Sequence, residues 1–548
     1  MTLRLAALAQ GKRYVIATLT GALCLWLAFV PAERAVRGVT MPYDTDHFRE
    51  VAYAQSIADG RLFADPFYRG QTMWYNPLFA ATIALVSRIT ALDVPLALVQ
   101  AGPILSTAVQ AAFFVAAVCL IGPWPAVIAL VALLFVPPYD FSWATPAVTP
   151  WLFPSAFASL FFYIGLIACW TAIRRNTPIW WIAVGGVLGI AFLGHTAPAV
   201  LLGLLAVASV FVADRSEKLF SGRHIALIAM IMGAALVVSA PFVYSIVFVY
   251  KLRIVDTEVL NWVAPHLAVA RAGSLLYEAW VSPLGVLRII GAIALIRRAP
   301  SDHGAFLVVG WTTAAAVLFG YGWLQQLVHF RGLPPFIPQH EFYFHLRAAG
   351  YMLAGVGAWV ALTTVAARML PSKARPRYQE AIVGGLVLLA IYVTVRATYE
   401  TFQGKADFQE YRREALAMSA HFSETRLLER LRTETPPDAV VLATAEDSLY
   451  RVAPAGRAVV AIPASQSNPY LTQGGRDHDS KAMLKAVLTG DSATLHTLAD
   501  VYGVTHIVLG PDDTAALDRA GASTAGIKEL SRRGGYSLYE LVAPHRSK

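Results

Sequence analysis

Two aspartates, Asp44 and Asp46, stand two residues apart in the stretch Met41-Pro42-Tyr43-Asp44-Thr45-Asp46-His47-Phe48-Arg49-Glu50. Carboxylates so spaced can divide the work of a reaction, one taking the proton of a hydroxyl and the other positioning a substrate or a metal. They can also be structural, one capping a helix and the other solvated. Asp46 or Thr45 is placed to cap a helix whose apolar positions, Phe48, Val51, Ala52 and Ile57, share one side, with Gly60 ending it. A helix of that kind lies along a membrane surface.

A second group of residues suits an anion. It runs His329-Phe330-Arg331-Gly332-Leu333-Pro334-Pro335, then His340-Glu341-Phe342-Tyr343-Phe344-His345-Leu346-Arg347. Guanidinium groups at Arg331 and Arg347 match a phosphate bidentately, and His340 or His345 adds a further donor. The same residue types also form interfacial belts that anchor helices. His195, in Gly194-His195-Thr196-Ala197-Pro198, is open to both readings, ligand or cap. Arg288 lies nine residues before Arg297, about 13 Å along a helix. That depth is near mid-membrane, where a charge needs a partner such as Glu278, a phosphate or a wet cavity.

The elements that must position these residues are membrane helices. Only 14% of the 548 residues are charged and 57% are hydrophobic, with a mean hydropathy of +0.54, a balance that soluble domains do not reach. Several apolar runs attain the roughly 20 residues needed to cross a bilayer. The formal charge of +9 comes from Lys/Arg clusters in short loops, as positive-inside topology requires, and no nucleic-acid-binding motif accompanies it. Cys24, Cys119 and Cys169 all lie in apolar runs, which excludes a disulfide framework and a cysteine zinc site. The run from Tyr14 to Val30 reads as a retained first helix rather than a cleaved signal.

Charge then sets the topology. Arg368, Lys373, Arg375 and Arg377 mark one cytoplasmic loop, Arg297-Arg298 a second, Asp214 to Arg223 a third and Arg174-Arg175 a fourth. The N-terminus is thereby cytoplasmic. Loop 31–73, the turn at His195, and loops 250–280 and 322–346 face outward. Loop 250–280 reads as a lid or interfacial segment. About eleven spans are expected. The stretch 75–150 is irregular, because the run 124–136 is too short to span and 75–91 could instead be interfacial.

After Ala397 the composition changes. Residues 408–432 read as an amphipathic helix, 481–489 and 492–502 as further helices. Residues 439–443, 458–462, 505–509 and 536–542 read as strands. The expected architecture is a polytopic α-helical membrane domain over 1–400 followed by a soluble α/β domain over 401–548, outside the membrane. Ser465 to Tyr470 and Arg476 to Asp479 read as polar loops of that domain or as an acceptor surface.

This layout resembles the GT-C superfamily of polyprenyl-phosphate-sugar-dependent glycosyltransferases. Asp44-Thr45-Asp46-His47-Phe48 is similar to that family's acidic motif in the first outer loop, although the acidic residues here are not adjacent. Tyr75-Asn76-Pro77-Leu78 is similar to its Pro-Leu approach to the next membrane segment, with Asn76 in place of one proline. Tyr502 to Leu509 resembles a segment of the C-terminal domains of bacterial membrane glycosyltransferases. The resemblance implies a transferase that moves a sugar from a polyprenyl-phosphate donor to an extracytoplasmic glycan, lipid or protein. It implies a bacterial inner-membrane location with the C-terminal domain in the periplasm or outside the cell. It further implies Asp44 or Asp46 as the base, Asp44 slightly ahead. The lipid phosphate would meet Arg347, His345, His340, Arg331, Arg288 and His195, and His47, Tyr68 and Tyr75 would line the pocket. No cofactor is required by it, and a divalent metal, if bound, would fall to Asp44 and Asp46.

Two other readings stand beside it. A transporter or flippase of a lipid-linked substrate would place polar residues at mid-membrane, as Arg288 does, and show an internal repeat, which the sequence lacks. A non-catalytic envelope-assembly partner would need residues 401–548 but not the two aspartates.

Overall fold

A computed structural model of the chain describes residues 2–137, 147–214, 221–256, 281–328, 339–369, 375–520 and 526–542. Arg331, Glu278 and most of loop 250–280 lie outside them. The chain divides into two compact units.

The first unit comprises Met1–Ala35, Gly102–Ser239 and Val263–Glu410. Its described elements are helices, and proline starts four of them: Pro123–Phe135, Pro154–Arg175, Pro178–Gly194 and Pro283–Arg298. A helix leaves its first N–H groups unbonded, so proline loses nothing at that position, and its fixed φ is already helical. At the other end, Arg174 and Arg175 fall in the last turn of one helix and Arg297 and Arg298 in the last turn of another. These are the same cations that the sequence reading expects at turns between membrane helices.

Close packing within this unit depends on glycine. A side chain at Gly291 would collide with the carbonyl oxygen of Leu353, and one at Gly357 with that of Leu287. The two glycines thus let Pro283–Arg298 lie against Gln339–Met369 backbone to backbone. Trp181, Trp311, Tyr163 and Phe113 fill the interior, while Leu19, Trp26, Val237 and Leu389 are exposed. Eight described helices are long and apolar enough to cross a membrane. Three shorter apolar helices, Leu78–Thr90, Pro123–Phe135 and Pro178–Gly194, accompany them. The protein is a multi-pass membrane protein. Pro123–Phe135, with 13 residues, reaches about 20 Å, short of the roughly 30 Å of hydrocarbon.

The second unit comprises Val36–Ala101, Ala240–Trp262 and Tyr411–Lys548. It therefore unites the first long loop with the C-terminal domain. Helix Thr45–Ala58 packs on Leu78–Thr90. The one-sided burial expected of a surface helix is not what the structure has. Every residue from His47 to Ala54 is buried, Arg49 and Glu50 with Phe48, Val51 and Ala52, while Ile57 is only partly covered, because other elements of the unit pack around the helix.

The C-terminal residues build a five-stranded sheet in the order β2-β1-β3-β5-β4. The strands are β1 (Val440–Leu442), β2 (Ala458–Val459), β3 (Val504–Leu509), β4 (Ile527–Arg533) and β5 (Tyr536–Leu541). β1 runs parallel to β2 and β3, whereas β5 is antiparallel to β3 and β4. Helices Gln473–Thr489 and Ser492–Tyr502 supply Met483, Val487, Leu495 and Ala499 to the core over the sheet. Strand β4 escapes a pattern reading because it carries Lys528, Glu529, Arg532 and Arg533 and buries Ile527 alone. Charge of this kind is usual for an edge strand, which it blunts against aggregation. The amphipathic stretch 408–432 is not one helix. It divides into Ala406–Thr425 and Leu427–Glu434, with Arg426 between them at φ 49°.

Candidate functional site

Asp44 caps helix Thr45–Ala58: its Oδ1 accepts the N–H of Asp46 at 2.8 Å. The cap thus falls at Asp44 and not at Asp46 or Thr45, because the chain turns helical one residue earlier than the apolar pattern suggests. Burial, reinforced by the charge of Asp46, pushes the Asp44 carboxyl up to about 6.

Asp46 sits in the first helical turn, where a negative charge meets the positive end of the helix dipole. Its Oδ1 accepts Nε2 of Gln466 at 2.9 Å and lies 3.3 Å from Nη1 of Arg49. Even so, the side chain keeps 29% of its surface exposed. One oxygen is thus pinned while the carboxylate still reaches the surface.

Arg49 holds this cluster together. Nη1 donates to Oε1 of Gln466 at 2.7 Å, Nη2 to the hydroxyl of Tyr75 at 3.0 Å, and Nε and Nη2 to Oε1 of Glu50 at 3.3 Å. Its guanidinium also lies 4.0 Å from the centre of the Tyr75 ring, a cation–π stack. Burial opposes the charge of Arg49, yet Tyr75, Asp46 and Glu50 hold its affinity for a proton above the ordinary value. Glu50 is 0% exposed, and burial lifts it to about 7 against the pull of Arg49. Sequence reasoning missed Arg49, Glu50 and Gln466 as site residues. The i, i+3 spacing of Asp46 and Arg49 on one helix face was the available signal for the first. Nothing local could pair residue 466 with residue 46.

A second tie within this unit involves the next residues of the same C-terminal loop. Asp65 accepts the N–H of Phe67 at 2.9 Å and Nδ2 of Asn468 at 3.0 Å. Burial raises Asp65 to about 6 in spite of these bonds. Tyr68 is buried, and its hydroxyl meets Ser467 Oγ at 2.7 Å and Gln473 Oε1 at 2.8 Å. Residues 466–468, which read as a polar loop, are in fact interior. Their polar atoms pair with Asp46, Arg49, Asp65 and Tyr68 of the first long loop and with Tyr250, Tyr470 and Gln473, as buried polar groups must. His47 is buried, its ring 5.9 Å from that of Tyr43.

In the first unit the structure brings His195 and His340 to one acidic residue. Glu341 Oε1 lies 3.8 Å from His195 Nε2 and 3.5 Å from His340 Nε2. His195 also accepts the N–H of Ala197 through Nδ1 at 3.4 Å, so it caps the following helix as well. His345 is buried and packs edge-on against Phe162 with centroids 4.9 Å apart. Arg347 is buried beside the Tyr343 ring, 5.6 Å from its centre. Arg288 faces Tyr351 at 5.5 Å. Glu341 was not singled out from the sequence, although it stands next to His340. Among the described residues no group of three or more His, Cys, Asp or Glu is arranged to hold a metal ion.

No family model and no curated protein sequence matches the chain. Solved structures do. ArnT from Cupriavidus metallidurans in the apo state is 15% identical, with 96% of this chain and 99% of that one aligned at a TM-score of 0.50. Its complex with undecaprenyl phosphate is 16% identical over the same shares, at 0.49. The oligosaccharyltransferase of Archaeoglobus fulgidus tethered to an acceptor peptide is 12% identical over 97% of this chain and 75% of that one, at 0.48. The apo ArnT match shows the fold: the protein has the multi-span membrane fold of that structure, as the resemblance to the GT-C superfamily led one to expect. The fold expected from the resemblance is the fold present.

Proposed function

We propose that the protein is a GT-C-type glycosyltransferase that moves a sugar from a polyprenyl-phosphate donor to an acceptor hydroxyl on the outer face of a bacterial inner membrane. The observation that carries this reading is the Asp46 carboxylate, held on one oxygen by Gln466 and Arg49 yet open to the surface. A general base needs such a fixed, accessible carboxylate. Asp44 is accounted for by the cap it makes, which favours Asp46 as the base and leaves Asp44 to shape the helix end.

In the proposed step the acceptor oxygen attacks the anomeric carbon as its proton passes to Asp46. The bond from that carbon to the phosphate oxygen breaks, and polyprenyl phosphate leaves as the anion. The N–H groups of His195, His340, Arg347 and Arg288 are assigned to the donor phosphate, since fixed N–H donors stabilise a leaving phosphate. No step runs through a metal. Nucleotide sugars are absent outside the inner membrane, so a donor carried by a lipid suits a site that faces outward.

The test uses the full chain in liposomes with a radiolabelled polyprenyl-phosphate sugar and a crude envelope acceptor fraction. Label should move to the acceptor with release of polyprenyl phosphate and inversion at the anomeric carbon. Movement of intact donor across the bilayer without any covalent product would replace this reading with that of a flippase.

A further inference from the structure

We infer that Gln466, on a loop of the C-terminal sheet domain, is a positioning residue that sets the orientation and basicity of Asp46. The inference rests on the reading of Asp46 as the base.

Arg49 has only donors, and an ionised Asp46 has only acceptors. A single side chain that bridges them must accept on one side and donate on the other. Gln466 does so with Oε1 toward Arg49 at 2.7 Å and Nε2 toward Asp46 at 2.9 Å. The two partners fix which end of the amide is which. Gln466 is itself buried, and Tyr470 two residues beyond Asn468 stacks on Tyr250 at 4.7 Å. Asn468 anchors the same loop to Asp65 at 3.0 Å. The amide is therefore presented from a fixed backbone, as a supporting contact to a reacting group must be.

The N–H bond fixes Oδ1 of a carboxylate that keeps 29% of its surface exposed, and a donated hydrogen bond favours the ionised form of the carboxylate that accepts it. A neutral amide also leaves the charge of Arg49 undiminished. The ionisable groups around Asp46 are Asp44, Arg49 and Glu50 of its own segment, with Tyr75 on the far side of Arg49. Glu414, from the C-terminal residues, presses on Asp44. A carboxylate at position 466 would pair with Arg49 equally well but would add a like charge beside Asp46. Two carboxylates at that separation do not both ionise readily. This makes the C-terminal domain part of the reacting centre, so its deletion removes catalysis and assembly together. The informative perturbation is one side chain.

The experiment compares Gln466→Glu with Asn468→Ala in the reconstituted full chain, reading kcat from pH 4 to pH 9. Gln466→Glu is expected to move the acid limb of kcat up by about one pH unit, which lowers kcat by about 10-fold on the limb and leaves it unchanged on the plateau above. Asn468→Ala, which loosens the loop but adds no charge beside Asp46, is expected to lower the melting temperature and to change kcat by the same factor at every pH, leaving the acid limb in place. A Gln466→Glu profile that overlays the wild type, or one lowered equally at every pH, would overturn the inference. Asp46→Asn run in parallel separates the two levels. If it is inactive while the Gln466→Glu limb stays put, the base stands and Gln466 is only structural. If Asp46→Asn is fully active, the reading beneath both fails.

Discussion

Glu50→Gln should make the protein more stable at alkaline pH and leave it almost unchanged in acid. Glu50 is 0% exposed and burial raises its carboxyl from 4.5 to about 7. A tenfold change in proton affinity corresponds to about 1.4 kcal/mol, so the shift carries about 3 kcal/mol. The sign follows from linkage. The folded protein binds this proton more tightly than the unfolded chain, so the stabilisation is complete below about 4.5 and is lost as pH rises through about 7. Glutamine keeps the shape and an oxygen for Arg49 but has no proton to lose. Melting temperatures in detergent, measured for both proteins from pH 4 to pH 8, should coincide at the acid end. They should separate with the variant several degrees higher at pH 8. Parallel curves across that range would refute the claim that the Glu50 charge is the cost. A variant less stable than wild type at pH 8 would mean that the ion pair with Arg49 outweighs desolvation.

Other consequences can be measured in the same preparations. Asp44→Ala should be about 1 kcal/mol less stable than Asp44→Asn at every pH, because asparagine caps a helix and alanine does not; equal melting temperatures in the two uncharged variants would deny the cap. Gly357→Leu should destabilise the first unit by about 1–3 kcal/mol by forcing two helices apart, visible as a lower melting temperature. Gly385→Ala, whose new methyl group meets nothing nearby, should not lower it. Arg347→Lys should raise the KM for the polyprenyl-phosphate donor about 10-fold with a smaller effect on kcat, since lysine cannot make the bidentate contact; an unchanged KM would remove Arg347 from the donor site.

Much of the membrane architecture was legible because its signals are local. Apolar length, prolines at helix starts and arginines in last turns each act within a few residues, and Arg174-Arg175 and Arg297-Arg298 stand in the structure where the charge reading needs helix ends. Strand β4 was not legible, since an edge strand carrying four charged residues lacks the alternation that marks a half-buried strand. The division at Arg426 was hidden for a different reason: a non-glycine residue in the left-handed region leaves no compositional mark. Of the site, the two aspartates were visible as a motif, but their different tasks were not. What separates them is a hydrogen bond from Gln466, 420 residues along the chain, to one and a backbone N–H to the other. The same distance in sequence kept Asn468 from being matched with Asp65 and Ser467 with Tyr68.

The most direct test of Asp46 as the base is single-turnover sugar transfer by Asp46→Asn, with donor saturating and the variant shown to melt like the wild type. The expected rate is lower by at least about 100-fold, as when a general base is removed, with donor binding retained. Transfer at the wild-type rate would contradict that role and return the Asp46–Arg49–Gln466 cluster to a purely structural one.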